Sequence, residues 1–192
     1  MSDRSPDTQD NPPVIKQNSE INPSRRKLTG AALGVSAVFT LASRPVWANQ
    51  CTISGMASGN LSAPKGPACA GCTPGYWKQS QHLDSWAATG FKTTDKFNTV
   101  FGVTQYNKAN GTPYTLLEVM QLLNGDGNST PDPISTNLGF HAVAALLNAA
   151  HPDVNYGYTA GELISLFQNN LSKAAALKDS LAMLNERGCP LN

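Results

Sequence analysis

Apolar residues recur at helical rather than strand spacing along the second half of the chain, and no stretch alternates apolar and polar positions for any length. Thr73-Pro74 pairs a capping hydroxyl with proline at the first helical position, which predicts a helix from Pro74 through Trp86, ended by Gly90. Thr94-Asp95 predicts a short helix carrying Phe97, Val100 and Phe101 and stopped at Gly102. Thr115-Leu-Leu-Glu118 and Thr159-Ala-Gly-Glu162 match the capping box, in which hydroxyl and carboxylate each bond the other residue's backbone N–H. Each precedes an apolar stripe: Leu116, Val119, Met120 and Leu123, then Leu163, Ile164, Phe167 and Leu171.

From about Ser135 to Ala150 nearly every face is apolar, with Leu138, Phe140, Ala142, Val143, Ala145, Leu146, Leu147 and Ala149, so this helix is expected at the centre. A last helix, about Lys173 to Arg187, carries Leu177, Leu181 and Leu184 on one face and ends at Gly188. The fold class is therefore all-α: a small, disulfide-stapled bundle of five or six helices occupying residues 74–192. Residues 49–73 are rich in Gly, Ser and Pro and read as a loop tethered by cysteines.

The first 48 residues follow a different pattern. Residues 1–23 have almost no aliphatic pairs and read as a disordered extension. Residues 24–48 read as an export signal: Ser24-Arg25-Arg26-Lys27-Leu28, a weakly apolar run from Thr29 to Ser43, and a small-x-Ala end at Val46-Trp47-Ala48. The Arg25-Arg26 pair, the Ala-, Gly-, Ser- and Thr-rich run and Arg44 before the cut all favour the twin-arginine (Tat) route. The expected partner in transit is the Tat translocase. The run falls short of the roughly 20 apolar residues that span a bilayer, so cleavage after Ala48 is expected to leave 144 residues and no membrane span. Asn49 and Gln50, where small residues should precede a lipid-bearing cysteine, disfavour a lipoprotein. The expected destination is the periplasm, the cell surface or the medium.

Charge narrows the partners. Residues 1–48 hold six of the fourteen Lys and Arg and four of the thirteen Asp and Glu, so the rest carries eight cations against nine acids. That balance offers nothing to nucleic acid.

All four cysteines, Cys51, Cys69, Cys72 and Cys189, lie beyond the cleavage site, and an even count in an exported chain reads as two disulfides. Three connectivities are open. Cys72–Cys189 with Cys51–Cys69 is favoured because it joins the last residues to the start of the first helix and closes a long loop, worth about 4 to 5 kcal/mol in the chain-entropy model. Cys69-Ala-Gly-Cys72 has the thiol redox spacing but lacks a βαβ context. The rival assignment is a metal site, with these two cysteines joined by Cys51, Cys189 or a histidine.

The candidate binding surface is Tyr76, Trp77, Lys78, His82 and Trp86, close together on the first helix beside Gln79 and Gln81. Exposed, these rings would suit a glycan or peptide. Buried, they would be core, their indole N–H groups bonded to backbone acceptors, and this reading is favoured for Trp77. His82, His141 and His151 are too scattered for a ligand motif, and His151 is expected at the C-terminus of the central helix. Residues 124–132 place oxygens at alternate positions like a calcium loop, but Ser129 and Ser135 replace the turn glycine and the bidentate glutamate. Nucleophile elbows, HExxH helices and phosphate loops are absent. No cofactor is implied, and no catalytic residue emerges.

Three blocks resemble a family of small exported bacterial proteins with a Cys-Thr-Pro-Gly-Tyr-Trp-Lys motif: Gly71-Cys-Thr-Pro-Gly-Tyr-Trp-Lys-Gln-Ser-Gln-His-Leu-Asp-Ser-Trp86, His141-Ala-Val-Ala-Ala-Leu-Leu-Asn-Ala-Ala-His-Pro-Asp-Val-Asn-Tyr156, and Gly188-Cys-Pro-Leu191. The resemblance implies a secreted or surface-associated helical domain and brings no catalytic residues with it. The function expected from the sequence is a non-enzymatic structural or adhesive module with a cell-surface or glycan partner. The alternatives are a metal-binding protein or metal-dependent enzyme using Cys/His ligands, or a carbohydrate- or peptide-binding module through Tyr76 and Trp77.

Overall fold

One helix organises the rest. In the computed structural model, residues 51–57, 68–122 and 130–192 are described, and all belong to one unit. The expected extension, signal peptide and cleavage site, with Arg25, Arg26 and Ala48, lie outside the described residues. The same is true of most of the calcium-like loop.

Among the described residues the chain is helical without strands: α1 Ile53–Ala57, α2 Pro74–Lys78, a 3₁₀ helix Ser80–Thr89, α3 Phe97–Phe101, α4 Leu116–Met120, α5 Leu138–Ala150, α6 Ala160–Asn169, a 3₁₀ turn Leu171–Lys173 and α7 Ala174–Asn185. These elements are shorter and more numerous than the five or six helices expected, and α1 interrupts the segment read as loop.

α5 is central, as its apolar circumference predicts. Leu138, Gly139 and every residue from Ala142 to Asn148 are buried, and α2, the 3₁₀ helix, α4, α6 and α7 all touch it. α7 lies along it with Leu177, Leu181 and Leu184 buried. A second aromatic group fills the space between α3 and α6: Phe97 lies 4.3 Å from Phe101 and 4.0 Å from Tyr106, and Phe101 lies 4.8 Å from Phe167, ring centre to ring centre.

Both capping boxes form. The Glu118 N–H donates to Thr115 Oγ1 at 3.2 Å while the Thr115 N–H donates to Glu118 Oε2 at 2.8 Å, and Thr159 and Glu162 repeat the pattern at 3.3 and 2.9 Å.

The first helix breaks where the pattern predicts continuity. Thr73 Oγ1 caps α2 by accepting the Tyr76 N–H at 3.3 Å, but Gln79 is extended (φ −72°, ψ 139°) and the chain resumes as a 3₁₀ helix. The break leaves the Trp77 carbonyl without an intrahelical donor. The Trp86 indole, turned back by the 3₁₀ segment, donates to it at 3.0 Å.

α5 also starts later than expected, after Asn137 in the left-handed region (φ 62°). Asp132 takes the role of cap. Its Oδ2 accepts the Gly139 N–H at 2.6 Å, and its Oδ1 accepts the Ile134 N–H at 3.1 Å and the buried Tyr106 hydroxyl at 3.0 Å. α3 begins at Phe97 instead of after Thr94-Asp95, because the Asp95 carboxylate accepts the Lys92 N–H at 2.8 Å and so closes its own turn.

Candidate functional site

The motif Cys72 to Lys78 is built inward, around the side chain of Asn148 on α5. Asn148 Oδ1 accepts the Cys72 N–H at 2.9 Å and the Trp77 indole N–H at 3.1 Å. Its Nδ2 donates to the Cys72 carbonyl at 2.8 Å and to Asn185 Oδ1 on α7 at 3.0 Å. Asn185 Oδ1 also accepts the Tyr156 hydroxyl at 2.8 Å, and Asn185 Nδ2 donates to the His141 carbonyl at 3.0 Å. Asn148 and Asn185 are wholly buried. A buried amide network of this kind rigidifies a fold when every member is paired, as here.

Of the candidate surface Tyr76, Trp77, Lys78, His82 and Trp86, this arrangement buries the tyrosine and both tryptophans. Trp77 is 0% exposed, Trp86 2% and Tyr76 7%, so none offers a free ring face to a sugar. The Trp77 indole bonds a side-chain amide, not the backbone carbonyl expected, whereas Trp86 does find a backbone carbonyl. Half-buried His82 stacks on Tyr76 at 4.1 Å between ring centres. Lys78 Nζ sits 5.6 Å from the centre of the Phe140 ring. The Tyr76 hydroxyl is 3.0 Å from Ser85 Oγ and donates to the Leu191 carbonyl at 3.4 Å, fastening the C-terminal residues to α2.

The cysteines pair as Cys51–Cys69 and Cys72–Cys189, the favoured connectivity, and none is free. Cys69 and Cys72 thus belong to different bridges, neither a redox pair nor, while oxidised, thiolate ligands. Among the described residues no group of three or more His, Cys, Asp and Glu is placed to hold a metal ion. Two disulfides point to an oxidising, non-cytoplasmic location, and no helix among the described residues is long and apolar enough to cross a membrane.

The other candidates resolve separately. His151 ends α5 as expected, its N–H donating to the Leu147 carbonyl at 2.9 Å and its Nδ1 accepting the Asp153 N–H at 3.2 Å. Asp132, the described acid of the calcium-like loop, has both carboxylate oxygens engaged in starting α5. Burial and the Asp132 charge push the Tyr106 phenol far above its ordinary range, so it remains a donor to that carboxylate.

Two buried side-chain atoms have no hydrogen-bond partner among the described residues: Asn137 Oδ1 and, one turn along α5, His141 Nδ1. Burial, followed by the nearby Lys178, lowers His141 from its ordinary 6.5 to about 4, with Asp179 opposing. The unfolded chain therefore binds a proton that the folded one refuses between those values, and stability falls as pH drops through that window. A His141→Gln variant is expected to flatten this part of the stability profile, measured as Tm against pH from 7 to 4. An unchanged slope would remove His141 as its source.

Asn148, Asn185 and Tyr156 escaped the sequence reading, although a signal was present. Asn148 is an amide inside a helix otherwise apolar on nearly every face, and Asn185 extends the Leu177–Leu181 stripe by one further turn. No protein-family model, curated protein or solved structure matches the chain.

Proposed function

We propose that this chain is an exported bacterial module whose helical domain has a structural or adhesive role at the cell surface or beyond it, without catalysis. The observation that carries the reading is the fate of the Cys72–Lys78 motif. Thr73 caps α2, Pro74 opens it, Cys72 bridges to Cys189, and Tyr76 and Trp77 fill the core, so its most distinctive chemistry is spent on holding the domain together. The twin arginine and the small-x-Ala end support export, and the resemblance to small exported bacterial proteins bearing the same motif supports a surface-associated role.

Intact mass of the exported protein, first native and then denatured without reduction, tests this reading. The expected result is a chain starting at Asn49, about four hydrogens lighter than the tetrathiol, with no bound ion. Free thiols carrying a metal would overturn it in favour of the Cys/His metal protein. A chain retaining residues 24–48 would overturn cleavage.

A further inference from the structure

We infer that the domain folds before its cysteines are oxidised, so that the chain crosses the inner membrane as a folded tetrathiol and the disulfides lock a structure already made; this rests on the export reading above. Both cysteine pairs are held in register by contacts that involve no sulfur.

At the long bridge, Gly71 and Gly188, each one residue before its cysteine, form an antiparallel bridge in which the Gly71 N–H donates to the Gly188 carbonyl at 3.0 Å. The N–H and carbonyl of Cys72 are both bonded to Asn148. At the short bridge, Arg187 donates to the Cys51 carbonyl and the Ile53 N–H donates to the Tyr158 hydroxyl at 2.9 Å. On the Cys69 side, Asn155 Nδ2 donates to the Ala68 carbonyl at 3.2 Å and the Ala70 N–H donates to the Asn155 carbonyl at 3.0 Å. The chain is also long enough for a core that does not depend on staples, unlike domains below about 40 residues.

The two cysteines of each pair are unequally exposed. Cys72 is 0% and Cys51 4% exposed, whereas Cys189 and Cys69 are half-buried. An external protein disulfide of the thiol–disulfide oxidoreductase class therefore meets Cys189 and Cys69 first. The accessible thiolate attacks the oxidant's S–S bond, forming a mixed disulfide and releasing one oxidant thiol. The buried partner's thiolate then attacks the protein sulfur of that mixed disulfide and releases the second. Each bridge thus gives up two protons and two electrons, and the oxidant leaves as a dithiol.

The test uses the full chain reduced by a phosphine. Folding before oxidation predicts that the near-ultraviolet circular dichroism of the tryptophans survives, with a Tm lower by roughly 15–25 °C. It also predicts that N-ethylmaleimide, read by peptide mass, modifies Cys69 and Cys189 about 100-fold faster than Cys51 and Cys72, whose sulfurs require local opening. Glutathione disulfide should then restore Cys51–Cys69 and Cys72–Cys189. Loss of the tryptophan signal, equal labelling of all four cysteines, or a Cys69–Cys72 product would overturn the inference. The export reading is tested separately by Arg25→Lys with Arg26→Lys: continued export would defeat the Tat route, while the labelling result would still decide whether the tetrathiol is folded.

Discussion

Replacing Asn148 with alanine is expected to destabilise the oxidised protein by about 3–6 kcal/mol, a large part of the 5–15 kcal/mol that holds an ordinary domain together. The magnitude follows from the groups left behind. The Cys72 N–H, the Cys72 carbonyl and the Trp77 indole N–H each lose their Asn148 partner. Trp77 and Cys72 are 0% exposed, so water does not replace what was lost, and each orphaned group costs about 1–3 kcal/mol. Asn185 Oδ1 is spared because it keeps the Tyr156 hydroxyl.

Asn148→Asp separates this explanation from simple loss of volume. Its carboxylate keeps an acceptor for the two donors, but it aims a second anionic oxygen at the Cys72 carbonyl and Asn185 Oδ1, which Nδ2 serves in the native protein. The folded state then favours the protonated acid, so this variant should gain stability relative to wild type as pH falls from 7 to 4. Urea unfolding at several pH values measures both effects. A loss below about 1 kcal/mol for Asn148→Ala would mean that the network does not hold the core.

Features set by neighbours in sequence were legible. Both capping boxes need only a hydroxyl and a carboxylate three residues apart, and Thr115–Glu118 and Thr159–Glu162 form as read. The central place of α5 followed from its apolar faces, and the burial of Trp77 followed from its type. Features set by distant partners were not. The break at Gln79 depends on the Trp86 indole returning to the Trp77 carbonyl, and the start of α5 depends on Asp132, which also engages Tyr106. The orientation of the other rings in the candidate surface was not legible for a related reason. Tyr76, Trp77 and Trp86 cluster along the sequence as a surface patch would, but only the packing of α5 and α7 shows which way they face. Asn148 and Asn185 were visible as amides among apolar neighbours, yet their meeting across two helices is a tertiary fact.

The two glycines flanking Cys72-Thr73-Pro74 are expected to respond to alanine with opposite signs. At Gly71 a Cβ would lie 2.2 Å from the Leu184 backbone carbonyl oxygen and 3.1 Å from the Asn185 Cα. Those atoms end α7 and cannot rotate aside, so Gly71 and the helix must separate. Separation would strain the Gly71–Gly188 hydrogen bond and displace Cys72 from both Asn148 and Cys189. A loss of about 3 kcal/mol or more is expected for Gly71→Ala, at the upper end of what overpacking costs because the neighbour is backbone that cannot yield. At Gly75, inside α2, the nearest atom to an added Cβ is Thr73 Oγ1 at an ordinary 3.5 Å. Gly75→Ala should therefore stabilise by about 0.5–1 kcal/mol, because alanine has less backbone freedom to lose than glycine. Thermal unfolding of the two oxidised variants against wild type decides the matter. If Gly71→Ala melts with wild type, the close approach of α7 to the Gly71–Cys72 segment is wrong, and with it the register that brings Cys72 and Cys189 together. If Gly75→Ala is the damaging change, the glycine within the motif has a role that its helical position does not explain.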